Sequence, residues 1–143
     1  MKHIFVDTVA LVALGNKRDM LHEQALKVKK HLDLSKQKFI TSDAVILEFC
    51  NAFSDIGLRP LAIRTIEAIN ASECWECVHI TPPLMDRGFE RFRRMQDKEW
   101  SLVDCISMII AEQFGIREIF TADHHFNQAG FVRLLQHPKE GGG

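Results

Sequence analysis

The chain reads as an α/β protein: a single three-layer α/β/α domain built on a mainly parallel central sheet of four to five strands. Two observations give this class. Short β-branched and aromatic runs alternate with longer segments whose apolar residues recur at helical spacing, the order expected of strand–helix–strand crossovers. The length of 143 residues, 46% hydrophobic and 26% charged, fits one domain able to bury a substantial core.

Each element follows from its residues. "HIFVD" (3–7) is a buried first strand, and "TVALVALGN" a short helix ended by Gly15. Asp19 is positioned to cap an amphipathic helix over Met20 to Leu34, in which Leu21, Ala25, Val28 and Leu32 share one face. "KFITS" (38–42) is the second strand, and Ser42 or Asp43 caps a helix running to about Ile56, where "GLRP" supplies a glycine stop and a proline. A helix over Leu61 to Asn70 precedes a third strand, "CVHIT" (77–81). Pro82 and Pro83 introduce a helix from Leu84 to Gln96, "DKEW" is a loop, and Ser101 starts a strongly apolar helix ending at Gly115. "REIFTA" is the fourth strand, a polar loop follows, and "FVRLL" is a short edge strand. The domain is expected to span residues 1–137, with 138–143 as a flexible tail that lacks core-forming residues.

Composition narrows the function. With 18 basic and 19 acidic residues and a net charge of −1, the chain lacks the basic excess of a protein that coats nucleic acid through many phosphates. An enzyme acting on nucleic acid through metal-binding carboxylates is still compatible with that balance. No apolar run reaches the length of a membrane span, and Asp7 interrupts the apolar N-terminus, so a cytoplasmic protein without membrane contact is expected. Cys74 and Cys77 form a C-x-x-C without a second ligand pair, so the four cysteines are expected to be free thiols.

Four acids stand out. In an open parallel sheet ligands bind beyond the carboxyl ends of the strands, and Asp7 and Asp123 close the first and fourth strands, at the same rim. Glu48 in "DAVILEFCNAF" and Asp104 in "SLVDCISMIIA" lie in apolar helices, where an unpaired buried charge is costly. Clustered carboxylates repel one another unless a cation joins them, and an all-oxygen cluster suits Mg²⁺ or Mn²⁺. Such an ion acidifies water and stabilises phosphoryl charge, so phosphodiester hydrolysis is the chemistry that fits. No P-loop, G-x-G-x-x-G, H-E-x-x-H or G-x-S-x-G pattern offers a competing chemistry.

The ordered pieces "IFVDTVALVAL", "SDAVILEFCNAF", "WSLVDCISMIIAEQFGI" and "IFTADHHFNQAGF" resemble the PIN-domain ribonucleases, especially VapC-type toxins of toxin–antitoxin pairs. The resemblance covers residues 3 to about 131 and implies a PIN-like fold. It implies a divalent-metal-dependent endoribonuclease, often a homodimer, that cleaves RNA and is held by a cognate antitoxin. It makes Asp7, Glu48, Asp104 and Asp123 the catalytic and metal-binding acids, and Thr8, Ser101 and Thr121 the small polar residues beside them. Asn51, one turn after Glu48, is placed to hydrogen-bond that acid.

Around this set, His124 and His125 are expected to cap, stack or contact phosphate rather than ligate metal, and Phe126 to anchor their loop. Arg87, Arg91 and Arg94 share a helical face, and with Trp100 nearby they are candidates to hold phosphates and stack a base. Two rival readings are compatible with parts of the sequence. One is an aspartate-nucleophile phosphatase, suggested by "FVDTVA", in which Val9 replaces the second aspartate. The other is a non-catalytic PIN-like binding module.

Overall fold

The β-branched and aromatic runs form five strands in the computed structural model of the protein, which describes residues 2–138. They are β1 (His3–Val6), β2 (Lys38–Ser42), β3 (Trp75–Val78), β4 (Glu118–Phe120) and β5 (Val132–Arg133). All pair in parallel, in the order β3-β2-β1-β4-β5. The chain therefore adds β2 and β3 on one side of β1, then crosses to add β4 and β5 on the other. The crevice between the ends of β1 and β4 is the switch point where open α/β sheets bind ligands. Seven helices connect these strands: α1 (Thr8–Gly15), α2 (His22–Leu34), α3 (Asp43–Ala52), α4 (Arg59–Ala71), α5 (Pro82–Arg94), α6 (Leu102–Gln113) and α7 (His125–Gln128). They fall into two groups: α1 packs on α2, α3 and α4, whereas α6 packs on α5 and α7. None is long and apolar enough to cross a membrane. The tail expected over 138–143 lies outside the described residues except for Pro138.

Several boundaries differ from the sequence expectation, each for a local reason. Helix α3 ends at Ala52 rather than near Ile56 because the Asp55 carboxylate takes the Gly57 N–H while the Asp55 carbonyl takes those of Leu58 and Arg59. The side chain competes with the helix for backbone groups. Strand β3 covers 75–78, not 77–81. Trp75 pairs with Phe39 and stacks on its ring at 4.8 Å, and pairing stops at Val78 because its partner Ser42 is where β2 turns into α3. The segment beyond is held differently: the Asp43 carboxylate accepts from the Ile80 N–H and lies 3.1 Å from His79 Nδ1. Helix α5 includes Pro82 and Pro83 in its first turn, where their missing N–H groups would have had no partner anyway. Gly15 is the last residue of α1 rather than a left-handed stop. Its hydrogen admits the Phe53 ring, 3.0 Å from where a Cβ would stand.

Helix α6 is the centre of the second group, with every residue from Asp104 to Ala111 buried. It lies close to α5 because Gly88 has no side chain: a Cβ there would meet Ile106 Cγ1 at 2.4 Å. Gly88→Val is expected to lower stability by about 1–3 kcal/mol through overpacking. A urea melt would show the lower midpoint. In the double variant with Ile106→Ala the two losses should sum to less than their separate values, since the second substitution makes the room the first requires. All four cysteines are free. Burial, reinforced by Asp43, pushes the Cys77 thiol up to about 11, so it is an unreactive thiol at neutral pH.

Candidate metal centre

Strand β1 ends on Asp7 and β4 runs out through Thr121 to Asp123, and adjacency of the two strands brings these acids to one rim. Asp104 arrives at that rim from the first turn of α6, and Glu48 from the second turn of α3. One open cleft of about 510 Å³ is lined by Asp7, Thr8, Val9, Glu48, Asn51, Glu99, Ser101, Asp104, Asp123 and His125. The structure thus brings together all four acids and the four small polar residues at or near them, since Thr121 contacts Asp7 from below.

Each carboxylate has one oxygen bonded back into the protein. The Thr121 hydroxyl donates to Asp7 Oδ2 at 2.8 Å and also accepts the Asp123 N–H at 3.1 Å. The Thr8 hydroxyl donates to Glu48 Oε1 at 2.6 Å. Asn51 was expected in that role; among the described residues it makes no hydrogen bond to Glu48, and Thr8 supplies the bond instead. Asp104 Oδ2 accepts the Ser101 N–H at 3.0 Å, closing a capping box in which Ser101 Oγ accepts the Asp104 N–H. His125 Nδ1 approaches the same Oδ2 at 3.0 Å. Asp123 Oδ1 accepts the His125 N–H at 2.9 Å. These bonds fix the four groups, and among the described residues Glu48 Oε2, Asp104 Oδ1 and Asp123 Oδ2 have no hydrogen-bond partner.

Electrostatically the cluster is out of balance. Asp7 is 3% exposed, and although it is the N-cap residue of α1 its side chain makes no capping hydrogen bond. Burial pushes its carboxyl up to about 7 from the usual 3.8; the Thr121 hydroxyl pulls it down, Asp104 pushes it up, the Thr8 N–H pulls it down and Asp123 pushes it up. A helix cap or turn residue has no need of a dehydrated carboxyl facing two more acids. A divalent cation removes both costs at once, and an all-carboxylate donor set fits a hard ion such as Mg²⁺ or Mn²⁺. The observed residues therefore fit such an ion.

Other expected contacts fall elsewhere. Trp100 is 7% exposed and its indole N–H donates to Gln128 Oε1 at 2.9 Å, so it braces α7 and offers no face to a base. Arg91 is committed to Glu112 through two hydrogen bonds of 2.7 Å. Arg87 and Arg94 are exposed. Phe126 is fully buried and anchors α7 against Phe131, their ring centroids 6.3 Å apart. His124 is exposed. Ligand atoms of Asp123, His124 and His125 lie within 4.8 Å of one another. Sequence reasoning missed Glu99 and Val9 in the cleft and the contact of His125 with Asp104. Nothing in the local sequence marks that contact, because its partners are 21 residues apart.

Comparison with known proteins agrees with this architecture. The PIN domain family matches residues 4–132. The 23S rRNA-specific endonuclease VapC20 of Mycobacterium tuberculosis, in strains CDC 1551 and H37Rv, is 32% identical over 132 residues, 92% of this chain and 97% of that protein. The crystal structure of VapC20, described as a sarcin-ricin loop cleaving toxin, superposes with a TM-score of 0.78 over 90% of this chain and 96% of the other. FitAcB from Neisseria gonorrhoeae shares the fold at 15% identity, with a TM-score of 0.64, over 95% of this chain and 98% of that one.

Proposed function

Since the chain belongs to the PIN-domain family, we propose that it is a divalent-metal-dependent endoribonuclease and the toxin of a VapBC-type toxin–antitoxin pair. The observation that carries the chemistry is the convergence of Asp7, Glu48, Asp104 and Asp123 on one cleft at the sheet's switch point. Asp7, Asp104 and Asp123 would hold the ion, with Glu48 completing the set. Mg²⁺ or Mn²⁺ bound there supplies positive charge against the scissile phosphate and acidifies the attacking water. The chain's own groups then orient and accept. Thr121 and Thr8 hold Asp7 and Glu48 in their rotamers, and Glu48, half-buried at the cleft wall, takes the proton of the attacking water. Arg87 and Arg94, exposed and outside the cleft lining, are the remaining candidates for contact with RNA phosphates away from the cut bond.

Large ribosomal RNA is the substrate class of choice, because the chain matches a 23S rRNA-specific endonuclease over nearly its whole length. The test is incubation of intact ribosomes and of free 23S rRNA with the purified protein in Mn²⁺, with cut sites mapped by primer extension. A discrete, EDTA-sensitive cut supports the reading, and intact RNA in every metal would overturn it. The protein acts in the cytoplasm, where ribosomes are, and a cognate antitoxin holds it inactive. It works as a homodimer: Ile56 and Ile63, 89% and 50% exposed, line one open depression with Pro60, and Leu47 on α3 is 66% exposed, apolar area that is costly for a monomer to leave in water. Ile56→Glu combined with Ile63→Glu is expected to give a folded monomer by analytical ultracentrifugation, where the unmodified protein sediments as a dimer.

A further inference from the structure

We propose that His125 is a positioning residue that pre-sets Asp104 and Asp123 for the ion, an inference that rests on the metal-dependent reading above. His125 Nδ1 lies 3.0 Å from Asp104 Oδ2 and 3.2 Å from Asp123 Oδ1, and its ring is largely enclosed, with 17% of the side chain exposed. Ionised carboxylate oxygens only accept, so Nδ1 carries the hydrogen that faces both. The hydrogen bond from His125 to Asp123 comes from its backbone N–H, which donates to Oδ1 at 2.9 Å. One residue thus bridges two acids that would otherwise repel across an empty centre.

The arrangement engages one oxygen of each acid, and among the described residues the other, Asp104 Oδ1 or Asp123 Oδ2, has no hydrogen-bond partner. Asp104 Oδ2 is held from both sides, by the Ser101 N–H at 3.0 Å and by the imidazole. Asp123 Oδ1 is held by the backbone and faces the same imidazole. Ligation through Nδ1 would require that nitrogen to abandon both contacts and lose its hydrogen, so only Nε2 could serve as a direct ligand, which the resonance measurement below tests.

His125 can impose this geometry because its own place is fixed. It opens α7, whose next residue, Phe126, is fully buried. At the far end of α7, Gln128 accepts the Trp100 N–H at 2.9 Å, and Trp100 immediately precedes Ser101, the cap of the helix that carries Asp104. The segments bearing the two acids are therefore joined twice, once through Trp100 and Gln128 and once through Asp104 and His125. Groups that orient metal ligands in this way are worth about 10–100-fold in metal affinity.

The test is Mn²⁺ binding at pH 8, followed by calorimetry and by the electron paramagnetic resonance of the ion, with no RNA present. His125→Ala and His125→Gln are expected to bind Mn²⁺ about 10–100-fold more weakly than the unmodified protein. His125→Asn, whose side-chain amide places an N–H where Nδ1 stands, is expected to keep most of the affinity. Thermal unfolding of the metal-free variants separates this from loss of fold. Unchanged affinity in His125→Ala overturns the proposal, as does a His125→Asn variant no better than alanine. Nitrogen hyperfine coupling that disappears in His125→Ala also overturns it, by making the imidazole a ligand. If the unmodified protein fails to bind Mn²⁺ at all, the metal-dependent reading falls with it, an outcome distinct from the other three.

Discussion

Asp7→Asn is expected to lose RNA cleavage by more than about 100-fold and, in the same protein, to gain stability when metal is removed at pH 8. The two effects have one cause. The Asp7 carboxyl is dehydrated beneath Asp104 and Asp123 and titrates near 7 rather than at its ordinary 3.8. Folding therefore favours the protonated acid: the stability it confers is fully present below pH 3.8 and is lost as pH rises toward about 7. At pH 8 the metal-free protein carries the whole cost of a buried charge, up to about 4 kcal/mol. Asparagine keeps the shape without the charge, so in EDTA the variant should unfold at higher urea than the unmodified protein at pH 8 and at nearly the same urea at pH 4. A variant less stable at both pH values would instead make Asp7 a structural group held by Thr121. Activity lost while stability is gained separates a site residue from a folding residue.

The parts of this molecule that were legible in its sequence are those governed by near neighbours. Helical and strand periods located eleven elements whose types the structure repeats, because burial of one face fixes the period. The ends moved where a side chain outside the period took backbone groups, as Asp55 does at α3 and Asp43 does beyond β3. Helix α7 lies where the sequence shows only a polar loop, because its four residues are too few to show a period and its anchor is a single phenylalanine. Strand order was not accessible either. Asp7 and Asp123 meet closely because β4 sits directly beside β1, and chain order alone allows other neighbours.

The site divides in the same way. Asp104 and Glu48 stand out in sequence because charge among apolar residues demands a partner, and the environment that raises the demand is local. What surrounds them is not local. Trp100 resembles a stacking platform until Gln128, 28 residues on, is seen to receive its N–H. Arg91 resembles a phosphate contact until Glu112, 21 residues on, is seen to hold it. Glu48 is bonded by Thr8 from 40 residues away rather than by Asn51 one turn along its own helix. In each case long-range packing overrides a plausible local partner, a contest that a single sequence does not display.

Mn²⁺ affinity is expected to fall about tenfold for each pH unit below 7 and to level off above pH 8. The ion requires Asp7 as a carboxylate, whereas the empty site holds it protonated up to about 7, so binding at pH 6 must release that proton. Calorimetry in two buffers of different ionisation enthalpy measures the release directly: close to one proton per ion at pH 6, about half at pH 7 and little at pH 8.5. Binding also cancels the pH dependence of stability, since saturating metal stabilises the folded chain by mass action and does so most where Asp7 is already ionised. The metal-free protein should thus lose stability from pH 5 to pH 8, while the Mn²⁺-loaded protein, whose Asp7 is ionised as it is in the unfolded chain, stays nearly level. The same measurements on Asp7→Asn should lose the proton-linked part of the slope whatever affinity remains. If proton release in the unmodified protein were absent at pH 6, the ion would be entering without Asp7, and the centre would be built on Asp104, Asp123 and Glu48 alone.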